Sequence, residues 1–138
     1  MDALTLQQAN DFIRIAMEKA AAEFSRPICV AICDASGFLV AFQRQEGAPL
    51  RSIAISQGKA YSAARMGATT DALLQRLERE NIQASYFCDD KITPLPGGSP
   101  LKNAGGAIIG AAGISGLTSA EDQEIADHLA ALAVQAAG

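Results

Sequence analysis

GGAIIGAAGISG, Gly105 to Gly116, gathers five of the chain's twelve glycines around the pair Ile108 and Ile109. It lacks the GxxxxGK[ST] phosphate loop, because no lysine follows its glycines. The spacing Gly106, Gly110, Gly113, Gly116 is also not GxGxxG. No strand-helix unit precedes it, which argues against a dinucleotide fingerprint. The run is too short for a membrane helix and too rich in glycine for an ordinary one, so it reads as a strand. In a strand Gly106, Ile108, Gly110, Ala112, Ile114 and Gly116 share one face, and Ala107, Ile109, Ala111, Gly113 and Ser115 share the other. Small side chains on both faces let either a helix or a flat ligand approach the backbone.

The surrounding elements follow from periodicity and punctuation. Thr5 with Gln8 forms a capping box, and Ala9, Phe12, Ile13, Ala16, Met17, Ala20, Ala21 and Phe24 make the apolar stripe of a long first helix. After Pro27, ICVAICD and SGFLVAFQR read as a hairpin turning at Ala35-Ser36-Gly37. Small residues at Ala54, Gly58, Ala60, Ala63 and Ala64 predict a second helix that packs closely. Gly67 ends it, and Thr69 or Thr70 caps a third over TDALLQRLEREN. Ser85 to Lys102 contains three of the five prolines and reads as a loop with edge strands. Thr118 with Glu121, or Ser119 with Asp122, caps a last helix running to about Ala136. The expected fold is α+β, an antiparallel sheet flanked by helices in the order α-β-β-α-α-β-β-α, as one domain over residues 1–138.

Composition narrows the partners. Eleven Lys and Arg against fifteen Asp and Glu give a net charge of -4 without a basic cluster, which excludes non-specific nucleic-acid binding. No signal peptide and no membrane span are read. Three cysteines are an odd number. Alternation puts Cys29 and Cys33 on one strand face, where they pack as small hydrophobes, and a reducing cytoplasm is expected.

Three sets of residues could carry chemistry. Arg44, Arg51, Lys59 and Arg65, around the second helix, are candidate contacts for a small carboxylate beside an apolar pocket. Glu121, Glu124 and His128 share a face of the last helix and could hold a metal ion. Alternatively Glu121 completes a cap while Glu124 and His128 form an i,i+4 surface pair. The third set is the glycine strand itself. No catalytic set is legible: His128 is the single histidine, and GxSxG is absent.

Asp34-Ala-Ser-Gly37, Arg44-Gln-Glu-Gly47-Ala48, Ser52-Ile-Ala54, Lys59-Ala-Tyr-Ser-Ala63, Pro96-Gly-Gly-Ser-Pro100-Leu101, Ile109 to Gly116, Glu121-Asp122 and Ile125-Ala126 carry a resemblance across nearly the whole chain. It resembles the GlcG/HbpS-type or heme-degrading domain, which also forms the carboxy-terminal part of PduO-type corrinoid adenosyltransferases. The resemblance implies a profilin- or PAS-like α/β sandwich, homo-oligomers and, for some members, heme or iron at subunit boundaries. It also implies operon company with glycolate, propanediol or glycerol metabolism. Members that ligate heme through a histidine near the first helix differ from this chain, which has Gln7, Gln8 and Asn10 there. Glu121-x-x-Glu124 is the counterpart of an acidic element linked with iron in secreted relatives.

The expectation is an oligomeric cytoplasmic protein binding heme or a related tetrapyrrole between the glycine strand and the second helix. Arg44, Lys59 and Arg65 would contact anions, and Gly97, Gly98, Gly110 and Gly113 would let the ligand reach the backbone. The alternative is an accessory or maturation factor, or an enzyme, of diol or hydroxy-acid metabolism or corrinoid handling, without heme.

Overall fold

A computed structural model describes residues 3–136; positions 1, 2, 137 and 138 of the single-domain reading lie outside the described residues. Helix α1, Leu6–Phe24, starts at the expected capping box: the Thr5 hydroxyl accepts from Gln8 N, and Gln8 Oε1 accepts from Thr5 N. Strands β1, Cys29–Asp34, and β2, Leu39–Arg44, form the hairpin. Asp34 Oδ1 holds its turn by accepting from Ser36 N at 2.9 Å and Phe38 N at 3.0 Å. Helix α2, Ser52–Met66, stops at Gly67 in the left-handed region, and Thr69 caps α3, Thr70–Glu80. After a short 3-10 turn come β3, Gly98–Lys102, β4, Ile108–Ser115, and helix α4, Ser119–Ala136. This is the expected α+β order. Among the described residues no helix is long and apolar enough to cross a membrane.

The sheet runs β2-β1-β4-β3, antiparallel throughout, with the glycine-rich β4 inside it. One face carries the larger core: Val30, Ile32, Ala112 and Ile114 meet Phe12 and Ile13 of α1 and Ile125 and Leu129 of α4. The other face is lined by Ala31, Cys33 and Ala111 against Ala60, Ala63 and Ala64 of α2, with α3 packed behind. Cys29 and Cys33 are both buried, as expected of small hydrophobes. Burial pushes the Cys33 thiol up to about 12, and it donates to Ala60 O.

Strict alternation fails in β4, as it does at a second register shift between β1 and β2. Lys102 pairs with Ile108 but Leu101 pairs with Gly110, so a bulge leaves Ile109 unmatched. Ile109 therefore turns into the α1/α4 core rather than sharing the α2 face with Ala111 and Gly113. The extra residue reverses the alternation on one side of the bulge only.

The missing side chains of β3 and β4 are spaces occupied by backbone. A Cβ on Gly113 would clash with Ser56 O and lie 2.6 Å from Ala60 N, and one on Gly98 would clash with Lys59 O. Helix α2 thus rests its main chain on the sheet, a packing that only glycine permits at these positions. Gly113→Ala is expected to lower the unfolding free energy by about 3 kcal/mol in urea denaturation, at the upper end of ordinary overpacking costs. Gly105→Ala, in an exposed turn with room for a methyl, should change it by less than about 0.5 kcal/mol.

Candidate functional site

The glycine strand and α2 enclose a polar link rather than a ligand space. Lys59, 3 % exposed, donates from Nζ to Ile114 O at 2.8 Å and to Asp122 Oδ2 at 3.1 Å. The other Asp122 oxygen accepts from Leu117 N. Burial pushes Lys59 down and Asp122 up from their ordinary values, and their mutual attraction opposes both shifts. Beside them Gln123 Oε1 accepts from Gly97 N at 2.7 Å, while Thr70 Oγ1 accepts from Gly98 N at 2.9 Å. A Cβ on Gly97 would lie 2.7 Å from Lys59 Nζ, and one on Gly110 would lie 2.5 Å from Cys33 O. The structure therefore gathers Lys59, Gly97, Gly98 and Gly113 around one buried junction, where their neighbours are the chain's own atoms. Gly110 lies farther along β4, against β1.

An open cleft of about 690 Å³ lies along the outer side of α2. Ala54, Gln57, Gly58, Tyr61 and Arg65 recur at helical spacing and line it from α2. Phe38 and Leu39 at the start of β2 form one wall, and Lys91 to Thr93 form the other. The first wall is apolar and solvent-facing, with Phe38 67% and Leu39 51% exposed. Gly58 keeps the helix surface low between the walls, since a Cβ there would already touch Thr93 Cγ2 at 3.4 Å.

Of the three anion contacts expected from sequence, only Arg65 reaches this cleft. Its Nε donates to Ser36 O at 2.8 Å, and its guanidinium lies 4.9 Å from the centre of the Tyr61 ring. Lys91 approaches the same ring at 5.5 Å. Arg44 instead borders a separate groove with Met17, Arg26 and Glu46. Tyr61 and Lys91 were not singled out by sequence reasoning. The i,i+4 spacing of Tyr61 and Arg65 was the available signal for the first. Lys91 is brought in by the fold of a loop distant from α2 in sequence. The Tyr61 hydroxyl donates to Asp89 Oδ2 at 2.5 Å, which holds the phenol above its ordinary pKa and Asp89 below the usual carboxylate value.

Glu121, Glu124 and His128 lie along α4 with different engagements. Glu121 accepts from Thr118 N and from Arg26, which hold it below the usual carboxylate value. Glu124 lies 3.8 Å from Lys19, and His128 is half-buried. Among the described residues no three of His, Cys, Asp and Glu are grouped to hold a metal ion.

The family model described as "Haem degrading protein HbpS-like" matches residues 4–131. An uncharacterized 15.0 kDa protein of Citrobacter freundii, from the dhaT-dhaS intergenic region, is 32% identical over 128 residues, covering 90% of this chain and 87% of that protein. The crystal structure of a PduOC:heme complex superposes with a TM-score of 0.83 at 28% identity, covering 96% of this chain and 95% of that one. A double mutant of Streptomyces reticuli HbpS gives 0.83 at 29% identity, with 96% and 88% covered.

Lys59→Met leaves Asp122 buried without its partner and should cost about 3 to 5 kcal/mol of stability, with most of it recovered in Lys59→Met/Asp122→Leu. Asp122 already has a folded pKa above its unfolded value, and loss of Lys59 raises it further. The native state of the single variant then binds the proton more readily than the unfolded chain, so its deficit should shrink as pH falls and grow as pH rises. Urea denaturation across that range measures it. Asp89→Asn removes the anion beside Tyr61, and tyrosinate absorbance should show Tyr61 ionising at lower pH than in the parent.

Proposed function

The chain belongs to the HbpS-like family of haem-degrading proteins, and from that premise we propose that it binds a flat, apolar anion, heme or a related tetrapyrrole, in the cleft between α2 and β2. The observation that carries this reading is the cleft's combination of shape and charge. Its volume of about 690 Å³ lies within the range of small-molecule and cofactor sites. Phe38, Leu39 and Ile53 supply apolar surface, while Arg65 and Lys91 supply cations for carboxylates. Ser36 already fixes the Arg65 guanidinium through its Nε, so less rotamer freedom is lost when a carboxylate is bound. The donor set also fits the group, because Tyr61, whose phenolic oxygen is a type of donor that heme iron accepts, lines the cleft. Bound there, a tetrapyrrole would supply a redox-active metal in a partly dehydrated site. The chain's part is to stack, neutralise and exclude water.

The same reading includes homo-oligomers and a reducing cytoplasm. Exposed Leu6, Leu50 and Val134 support assembly, and free Cys29, Cys33 and Cys88 support the compartment. A second reading, an accessory role in diol metabolism, is favoured by the relative in the dhaT-dhaS intergenic region. It predicts that glycerol or propanediol, rather than hemin, raises the melting temperature.

Hemin titration should give a saturable Soret change at about one equivalent per chain or per dimer. A linear, non-saturating response overturns the heme reading. Ala54→Glu puts a carboxylate on the exposed floor, within the first turn of α2 where an acidic residue is tolerated. It should weaken hemin binding about tenfold or more, equivalent to about 1.4 kcal/mol, with the melting temperature unchanged.

A further inference from the structure

We infer that Tyr61 is the metal-holding residue of this cleft, its phenolic oxygen serving the iron of a bound tetrapyrrole. This inference rests on the reading of the cleft as a tetrapyrrole site. The other polar side chains that line the cleft are engaged, cationic or unfixed. The Cys33 thiol is buried and donates to Ala60 O. The Gln57 amide nitrogen is spent on Ile53 O, and Thr93 Oγ1 accepts from Leu95 N. Arg65 has no lone pair to offer, and Lys91 presents an ammonium. Asp90 is exposed, and no hydrogen bond among the described residues fixes its carboxylate in place.

Tyr61 combines a fixed ring with a phenolic oxygen that has lone pairs to give. Its ring is flanked by the Arg65 and Lys91 cations at 4.9 Å and 5.5 Å, and Gly37 packs against its edge. Its hydroxyl hydrogen is directed to Asp89, which Lys91 N in turn holds through the second carboxylate oxygen. The oxygen therefore keeps its lone pairs for another partner, and Asp89 acts as the positioning residue. A ferric ion at that oxygen would break the phenol O–H bond, its charge offsetting the cost that Asp89 sets on phenol ionisation, and the proton would leave by Asp89 to solvent. No electron is transferred, and the two cations offset the phenolate charge. Phenolate is an established type of heme-iron ligand, so the chemistry needs no histidine.

The test compares hemin with metal-free protoporphyrin IX on the full chain. The hemin complex should show phenolate-to-iron charge transfer and resonance-enhanced phenolate vibrations. Tyr61→Phe should lose both and bind hemin about tenfold more weakly, while its affinity for metal-free protoporphyrin stays at the parent value. Tyr61→His should exchange the phenolate signature for an imidazole-ligated spectrum, which covers the case of a poorly folded Phe variant. Asp90→Asn and Tyr86→Phe should keep the parent spectrum. An unchanged spectrum in Tyr61→Phe, or loss of the signature in Asp90→Asn, overturns the inference while leaving the cleft assignment standing. Failure of the parent chain to bind either porphyrin overturns the cleft assignment itself.

Discussion

The main chain of α2 lies directly on β3 and β4 because Gly98 and Gly113 have no side chain to hold it off. The rest of the arrangement depends on this contact. A helix that close can use only small residues on its inner face, and the residues α2 buries are serines, alanines and one lysine. It cannot spread its cover to β2, whose α2-facing residues Leu39 and Phe42 stay partly open. The cleft is the part of the sheet and hairpin that a close-packed helix leaves uncovered. The low floor at Gly58 follows the same use of small residues on the helix's outer side.

Close approach also leaves polar groups to satisfy. Ser115 Oγ donates to Ser52 Oγ, and the Lys59 stem crosses the layer to Asp122 at the start of α4. Every described buried side-chain nitrogen and oxygen has a partner. Burying an ion pair contributes little net stability, since the attraction only repays desolvation. Its geometric effect is larger: Lys59 ties α2 to the β4 end and to α4, while Gln123 ties α4 to Gly97, Gly98 and Ser99. The two helical layers are thereby keyed to each other at one edge of the sheet. The cleft wall at residues 91–93 is keyed to α2 as well, since Thr93 N donates to Ser62 Oγ.

Much of the fold was legible because it depends on neighbours in sequence. Thr5 with Gln8, the turn at Ala35-Ser36-Gly37, Gly67 after α2 and Thr69 before α3 act within a few residues, and each works as read. Ile109 was misassigned to a face because a bulge is defined by the partner strand, which lies outside the local pattern. The site was less legible for the same reason. Lys59 read as a contact for a small carboxylate beside an apolar pocket, yet Asp122, 63 positions away, takes it into the interior. Lys91 had no motif around it, and only the fold brings it to Tyr61.

The sequence by itself determined the elements, their order, the inner position of the glycine strand and the resemblance to the HbpS-like family. These rest on caps, turns and side-chain periods that act within one or two turns of chain. Only the tertiary structure decided what occupies the glycines and where a ligand space remains. A glycine's missing side chain is equally suited to a helix or a ligand, and the choice belongs to whichever segment packs there. In this chain α2 fills the space at Gly113, and the opening lies two strands over, above β2.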